Sequence, residues 1–138
     1  MKIVIIDGQG GKIGSLLVSK IKEAGLAVRL FAIGSNSIAT AAMLKAGADH
    51  GATGENPVVI NCRDADFIIG PIGIIAADAL LGEITPAMAA AVSQSPAQKI
   101  LLPLNRCNHY IVGAQDLPVA QAVPLAVDVL KDLMANKS

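Results

Sequence analysis

Aromatic residues are nearly missing from this chain: Phe31, Phe67 and Tyr110 are the only three, and there is no tryptophan. Single-stranded nucleic acid is gripped largely by base stacking on aromatic side chains, so that partner is not expected. An excess of charge of either sign is missing too. Eleven basic residues face eleven acidic ones, which leaves no electrostatic footprint for a nucleic-acid backbone or an anionic membrane surface. Hydrophobic residues make up 53% of the sequence, yet no run reaches the roughly 18 to 20 uninterrupted apolar residues that a membrane span requires. The longest candidate, 67–77, is broken by Gly70, Pro71 and Gly73. The N-terminal apolar stretch, 3–6, is too short for the core of a signal peptide, and a cytoplasmic setting is expected. Cysteine is scarce as well. Cys62 and Cys107 stand alone without metal-ligand spacing, so free thiols are expected and no metal site.

What the chain does have is a strand, a glycine turn and a helix in immediate succession over 2–20. The apolar run 3–6 meets Gly8, Gly10, Gly11 and Gly14, and these meet a helical pattern with Ile13, Leu16, Leu17, Ile21 and Ala24 on one face. Glycine lets the backbone turn off a strand and lets an anion approach the N–H groups at a helix start, where the partial positive charge lies. A phosphate is the expected occupant. The residues placed at it are Gly8, Gln9, Gly10, Gly11, Lys12, Ile13 and Gly14.

The remaining pattern alternates. A strand over 2–6 precedes a helix closed by Gly25. A strand over 26–33 leads to Gly34, with Ser35 or Ser37 capping a helix that runs to Gly47. That helix is apolar on nearly every side over 38–44, which predicts cover by a second copy of the chain. A long polar loop over 49–57 precedes a short strand at 58–61; a fourth strand at 67–69 is followed by apolar helical residues up to Gly82. Thr85 with Pro86 marks the N-terminus of a small-residue helix to about 95, and 99–102 is a fifth strand. Pro118 and Pro124 predict a final helix that is broken or starts late.

The pattern reads as one α/β domain over 1–138, a Rossmann-like open, mostly parallel sheet with helices on both faces. Ligands of such sheets sit outside the carboxyl ends of the strands. Ser35, Asn36, Ser37, Gly70 and Pro71 therefore join the glycine loop as expected ligand contacts, and Asn105, Arg106, Cys107 and His109, the densest polar cluster, are further ligand-binding candidates. No catalytic residue is identified. Asp7, before Gly8, is expected to brace the turn. A dinucleotide site places an acid at the end of the second strand for the ribose hydroxyls. Here Ser35, Asn36 and Ser37 stand instead, which favours a phosphorylated ribose or a mononucleotide, although no cation follows until Lys45. His50, Glu55 and Glu83 are isolated and read as loop or surface residues.

The spacing Gly8-x-x-Gly11-x-x-Gly14 resembles the N-terminal fingerprint of dihydrodipicolinate reductases and some short-chain reductases, and that resemblance implies NAD or NADP. Over nearly the full length the chain also resembles an uncharacterised bacterial domain-of-unknown-function family. The stretches that carry this are 5–10, 36–48, 51–56, 70–74 and 82–88. It implies a bacterial, intracellular protein and no catalytic residue. The function expected is a self-associating protein that senses or handles a nucleotide or dinucleotide. The alternatives are an NAD(P)-dependent reductase whose active site is completed at a subunit interface, and an assembly subunit that keeps the fold without a ligand.

Overall fold

The first strand, β1 (Lys2–Asp7), is buried at every position, as a sheet-centre strand must be when both faces are covered. The computed structural model describes residues 1–104 and 108–137. Around β1 lie β2 (Arg29–Gly34), β3 (His50–Thr53), β4 (Phe67–Pro71) and β5 (Gln98–Leu102), ordered β3-β2-β1-β4-β5. Every pairing is parallel, with Ile3 level with Leu30 on one side and Phe67 on the other. Alternation along β1 divides the core. Ile3 and Ile5 pack with α1 (Lys12–Glu23), α2 (Ser37–Lys45) and α5 (Val119–Lys137). Val4 and Ile6 pack with α3 (Glu55–Asn61) and α4 (Pro86–Gln94). The protein has the Rossmann-like α/β fold read from its sequence, and the described sheet is entirely parallel.

Three local expectations are corrected, and the last helix starts late as expected. The third strand is His50–Thr53, inside the expected loop, and the expected strand at 58–61 lies within α3. The β-branched run there is overridden by packing, since Val58 and Cys62, one helical turn apart, are both buried against the sheet. Gly51 pairs with Ala32 of β2 and lets α2 come close, since a Cβ there would stand 2.8 Å from the Leu44 side chain.

Helix α2 is capped by Asn36, whose side chain accepts from Ala39 N at 2.9 Å, leaving Ser35 for another partner. Only Ile72–Ile75 forms a 3₁₀ turn in the segment expected to be helical. Beyond it the chain folds back on itself, with Asp78 N donating to Ile84 O and Ile84 N to Ala79 O. Finally, α5 starts at Val119, directly after Pro118, but runs unbroken through Pro124. Buried Val123, Ala126, Val127 and Leu130 hold it against the sheet.

Candidate functional site

Strand order reverses between β1 and β4, and the connections leaving the carboxyl ends of these strands form the crevice where ligands of this architecture sit. The turn after β1 closes with Gly11 N donating to Gly8 O at 2.9 Å. Asp7 braces it from beneath: one carboxylate oxygen accepts from Gly8 N at 2.8 Å, the other from Gly14 N at 2.7 Å. Burial pushes this carboxyl above its usual range, and the nearby Glu83 charge adds to that; the N–H groups of Gly14 and Gly8 pull the other way.

Glu83 meets the same turn from above, on the connection between β4 and α4. A single oxygen, Oε1, accepts from Gln9 N at 2.9 Å, Ser35 Oγ at 2.6 Å and Asn36 Nδ2 at 2.7 Å. Partial burial alone would raise its pKa, but the three donors outweigh that and hold the carboxyl below its ordinary value. The second oxygen, Oε2, takes no hydrogen bond from the described residues. The segment that delivers Glu83 is unusual, because Asp78, Leu80 and Leu81 all adopt positive φ (65°, 56° and 56°) ahead of Gly82. Leu80 is buried beneath the turn and Leu81 is 97% exposed.

Three of the four turn glycines are accounted for by close packing. A Cβ at Gly8 would stand 2.5 Å from Ser35 Oγ and 2.9 Å from the Leu80 side chain. At Gly11, with φ +74°, it would stand 2.8 Å from Ala39 Cα, and at Gly14 2.9 Å from Asp7 Cβ. Gly10 alone has open space around it. Among the described residues, the backbone N–H groups of Gly10 and Lys12 have no acceptor, as expected for donors at a helix start.

The expected ligand contacts are scattered in their surroundings. Gln9, Gly10 and Lys12 are exposed, whereas Ile13 points into the core. Ser35 and Asn36 join the turn through Glu83, and Asn36 Nδ2 also donates to Gln9 O at 2.9 Å. Ser37 is exposed in the first turn of α2. Gly70 and Pro71 are buried at the end of β4, and Ile6 O lies where a Gly70 Cβ would stand. His109 is exposed, while Asn105, Arg106 and Cys107 lie outside the described residues.

Glu83 was missed because nothing within its own stretch links it to Ser35, 48 positions away. Its presence overturns the apparent lack of an acid beside the second strand: a carboxylate stands there, delivered from the connection after β4. Among the described residues no His, Cys, Asp and Glu side chains gather as metal ligands would. Cys62 is a buried free thiol whose pKa is pushed up to about 11 by burial, so it is unreactive at neutral pH. A groove of about 560 Å³ lined by Val59, Cys62, Arg63, Ala87, Ala91 and Gln94 shares no residue with the turn. No helix among the described residues is long and apolar enough to cross a membrane.

The sequence matches the family model described as "Domain of unknown function (DUF3842)" over residues 2–135, and the chain belongs to that family. No curated protein matches it. Among solved structures it is similar to a dodecameric FMN-dependent Ubix-like decarboxylase from Escherichia coli O157:H7. The identity is 16% and the TM-score 0.45, over 95% of this chain and 77% of that one. That enzyme is FMN-dependent. In this chain Glu83 takes the Gln9 N–H, so that donor of the turn is not open to a cofactor's phosphate. The expectation of NAD or NADP is accordingly withdrawn.

Proposed function

We propose that this protein binds a phosphate-bearing, mononucleotide-type small molecule at the carboxyl edge of β1, with its phosphate on the N–H groups of Gly10 and Lys12. The observation that carries this reading is the division of the turn. Gly8, Gln9, Gly11 and Gly14 donate to the protein's own acceptors, while Gly10 and Lys12, at the exposed start of a 12-residue helix, donate to none among the described residues. Such a pair, with the helix dipole behind it, favours an anion. Self-association belongs to the same reading, because Ile38 (69% exposed) and Leu44 (42% exposed) leave apolar surface on α2 uncovered in the single chain.

Thermal-shift titration with a panel of nucleoside monophosphates, alongside native mass spectrometry, tests the assignment, since a ligand selective for the folded state raises its melting temperature in a concentration-dependent way. Gly10→Asp, for which the turn has room, is expected to abolish the shift while leaving the fold intact. Undiminished binding by that variant would remove phosphate from this position. Light scattering at micromolar concentration checks the second part, and a monomer there would reject it.

A further inference from the structure

We infer that the open sheet edge at β3, with the outer side of α2 beside it, is the face through which two copies of this chain pair, β3 running antiparallel to β3 so that the two sheets become one. The inference rests on the self-association proposed above and names the surface that carries it.

The two edges of the sheet, β3 and β5, are not equivalent. An edge strand leaves a row of backbone donors and acceptors unpaired, and native proteins blunt such edges with lysine, proline or a covering segment. β5 has these devices: Lys99 lies within it, Pro103 follows it directly, and only Gln98 of its five residues is exposed. β3 has none of them. His50, Gly51 and Thr53 are exposed, and the strand contains no lysine, arginine, acid or proline. Its open side follows from the ladder. Gly34 is level with Thr53, and Gly54 N donates to Gly34 O at 2.9 Å. Alternation then turns the Ala52 amide toward β2 and the N–H and C=O groups of Gly51 and Thr53 outward. Those groups are satisfied by another strand. In the antiparallel pairing each copy's Gly51 stands opposite the other's Thr53, a pair that exchanges both of its backbone hydrogen bonds about a two-fold axis at Ala52.

The helix beside the edge fits the same pairing. α2 packs on β2 and β3 alike. Paired strands are about 4.8 Å apart, so the two copies of α2 on the joined sheet lie about two strand spacings, roughly 9–10 Å, from each other. Helices pack at about that distance. Leu44 lies over Gly51 and the Thr40 hydroxyl meets that of Thr53 at 2.7 Å, so α2 runs opposite to β3. Setting Gly51 opposite the other copy's Thr53 therefore brings Leu44 of one helix level with Thr40 of the other, about 3 Å short of Ile38. Ile38 (69% exposed) and Leu44 (42% exposed) thereby cover each other, and Ala41 between them, also exposed, leaves room for the approach. Charge permits a copy to meet itself here. Lys45 is the single charged residue of α2, and the antiparallel arrangement sends its two copies toward opposite ends of the helix pair.

The test combines light scattering with hydrogen exchange resolved at single amides, on the whole protein as wild type, Ile38→Lys and Leu125→Lys. Both residues are exposed in the single chain, and Leu125 lies beside β5. Wild type is expected to form a dimer or an even-numbered assembly at micromolar concentration, its Gly51 and Thr53 amides exchanging about tenfold or more slower than after dilution to the monomer. Ile38→Lys places a cation in the apolar contact, near Lys45 of the other copy. It is expected to raise the dissociation constant about tenfold or more and to free both amides, whereas Leu125→Lys changes neither. An assembly whose Gly51 and Thr53 amides exchange freely would overturn this face and leave self-association standing. So would one that Leu125→Lys dissociates and Ile38→Lys does not. A wild-type monomer at micromolar concentration would overturn self-association and this face together.

Discussion

Two carboxylates hold the turn after β1, one from each side, and they differ in nearly every respect that matters. Asp7 is 3% exposed and engages both oxygens, each with a backbone N–H of the turn. It lies one position before the first glycine and is part of the same local structure. Glu83 comes from another connection, gathers three donors on one oxygen and leaves the other open. Burial drives the Asp7 pKa up, while hydrogen bonding overcomes the same tendency in Glu83 and takes its pKa down. Asp7 thus belongs to the turn it braces, whereas Glu83 ties that turn to the connection after β2.

The contrast can be broken first at the packing beneath it. Gly11→Ala is expected to cost roughly 3 kcal/mol or more in chemical denaturation, because left-handed backbone strain adds to overpacking against Ala39. A loss under about 1 kcal/mol would mean that α1 and α2 can separate freely. Next comes Asp7→Asn, which leaves Gly8 N or Gly14 N facing an amide donor. It should cost about 1–3 kcal/mol, with little change in any ligand affinity that survives.

Acid unfolding should separate the two groups by sign. Glu83 has a lowered folded pKa, so its contribution is full above its ordinary 4.5 and is lost as pH falls through the folded value. Asp7 has a raised pKa, so the protein recovers stability as pH falls through that value. Melting curves from pH 6 to about pH 2.5 are therefore expected to show a shallower acid limb in Glu83→Gln and a steeper one in Asp7→Asn than in wild type. The reverse ranking would mean that the two environments have been interpreted the wrong way round. The smallest effect is reserved for the segment that carries Glu83. Leu81→Gly removes an exposed side chain from a left-handed position and should stabilise by up to about 1 kcal/mol. Destabilisation of that size would show that Leu81 is covered in solution by another chain.

Much of the fold was legible because its signals are local. The buried strand 3–6, the glycines after it, the Gly25 stop and the Thr85–Pro86 helix start each act within a few residues, and the structure keeps all of them. The third strand was expected at 58–61 and not within the loop because 50–53 carries little intrinsic strand preference, whereas 58–60 carries a great deal. Pairing with β2 and burial of Val58 decided both against their local preference.

The turn itself divides in the same way. That a strand would end in glycines at a helix start was written in the order of the residues, since backbone geometry and helix dipole are properties of adjacent positions. Why those glycines are needed was not written there, because Ala39, Leu80 and Asp7 reach Gly11, Gly8 and Gly14 only once the helices pack. Nor could the order of residues place Glu83. The sequence by itself determined an α/β chain with a glycine turn leading from its first strand into a helix. Only the tertiary structure brought a carboxylate from beyond the fourth strand to that turn, because parallel crossovers set connections side by side that the chain separates by 48 residues.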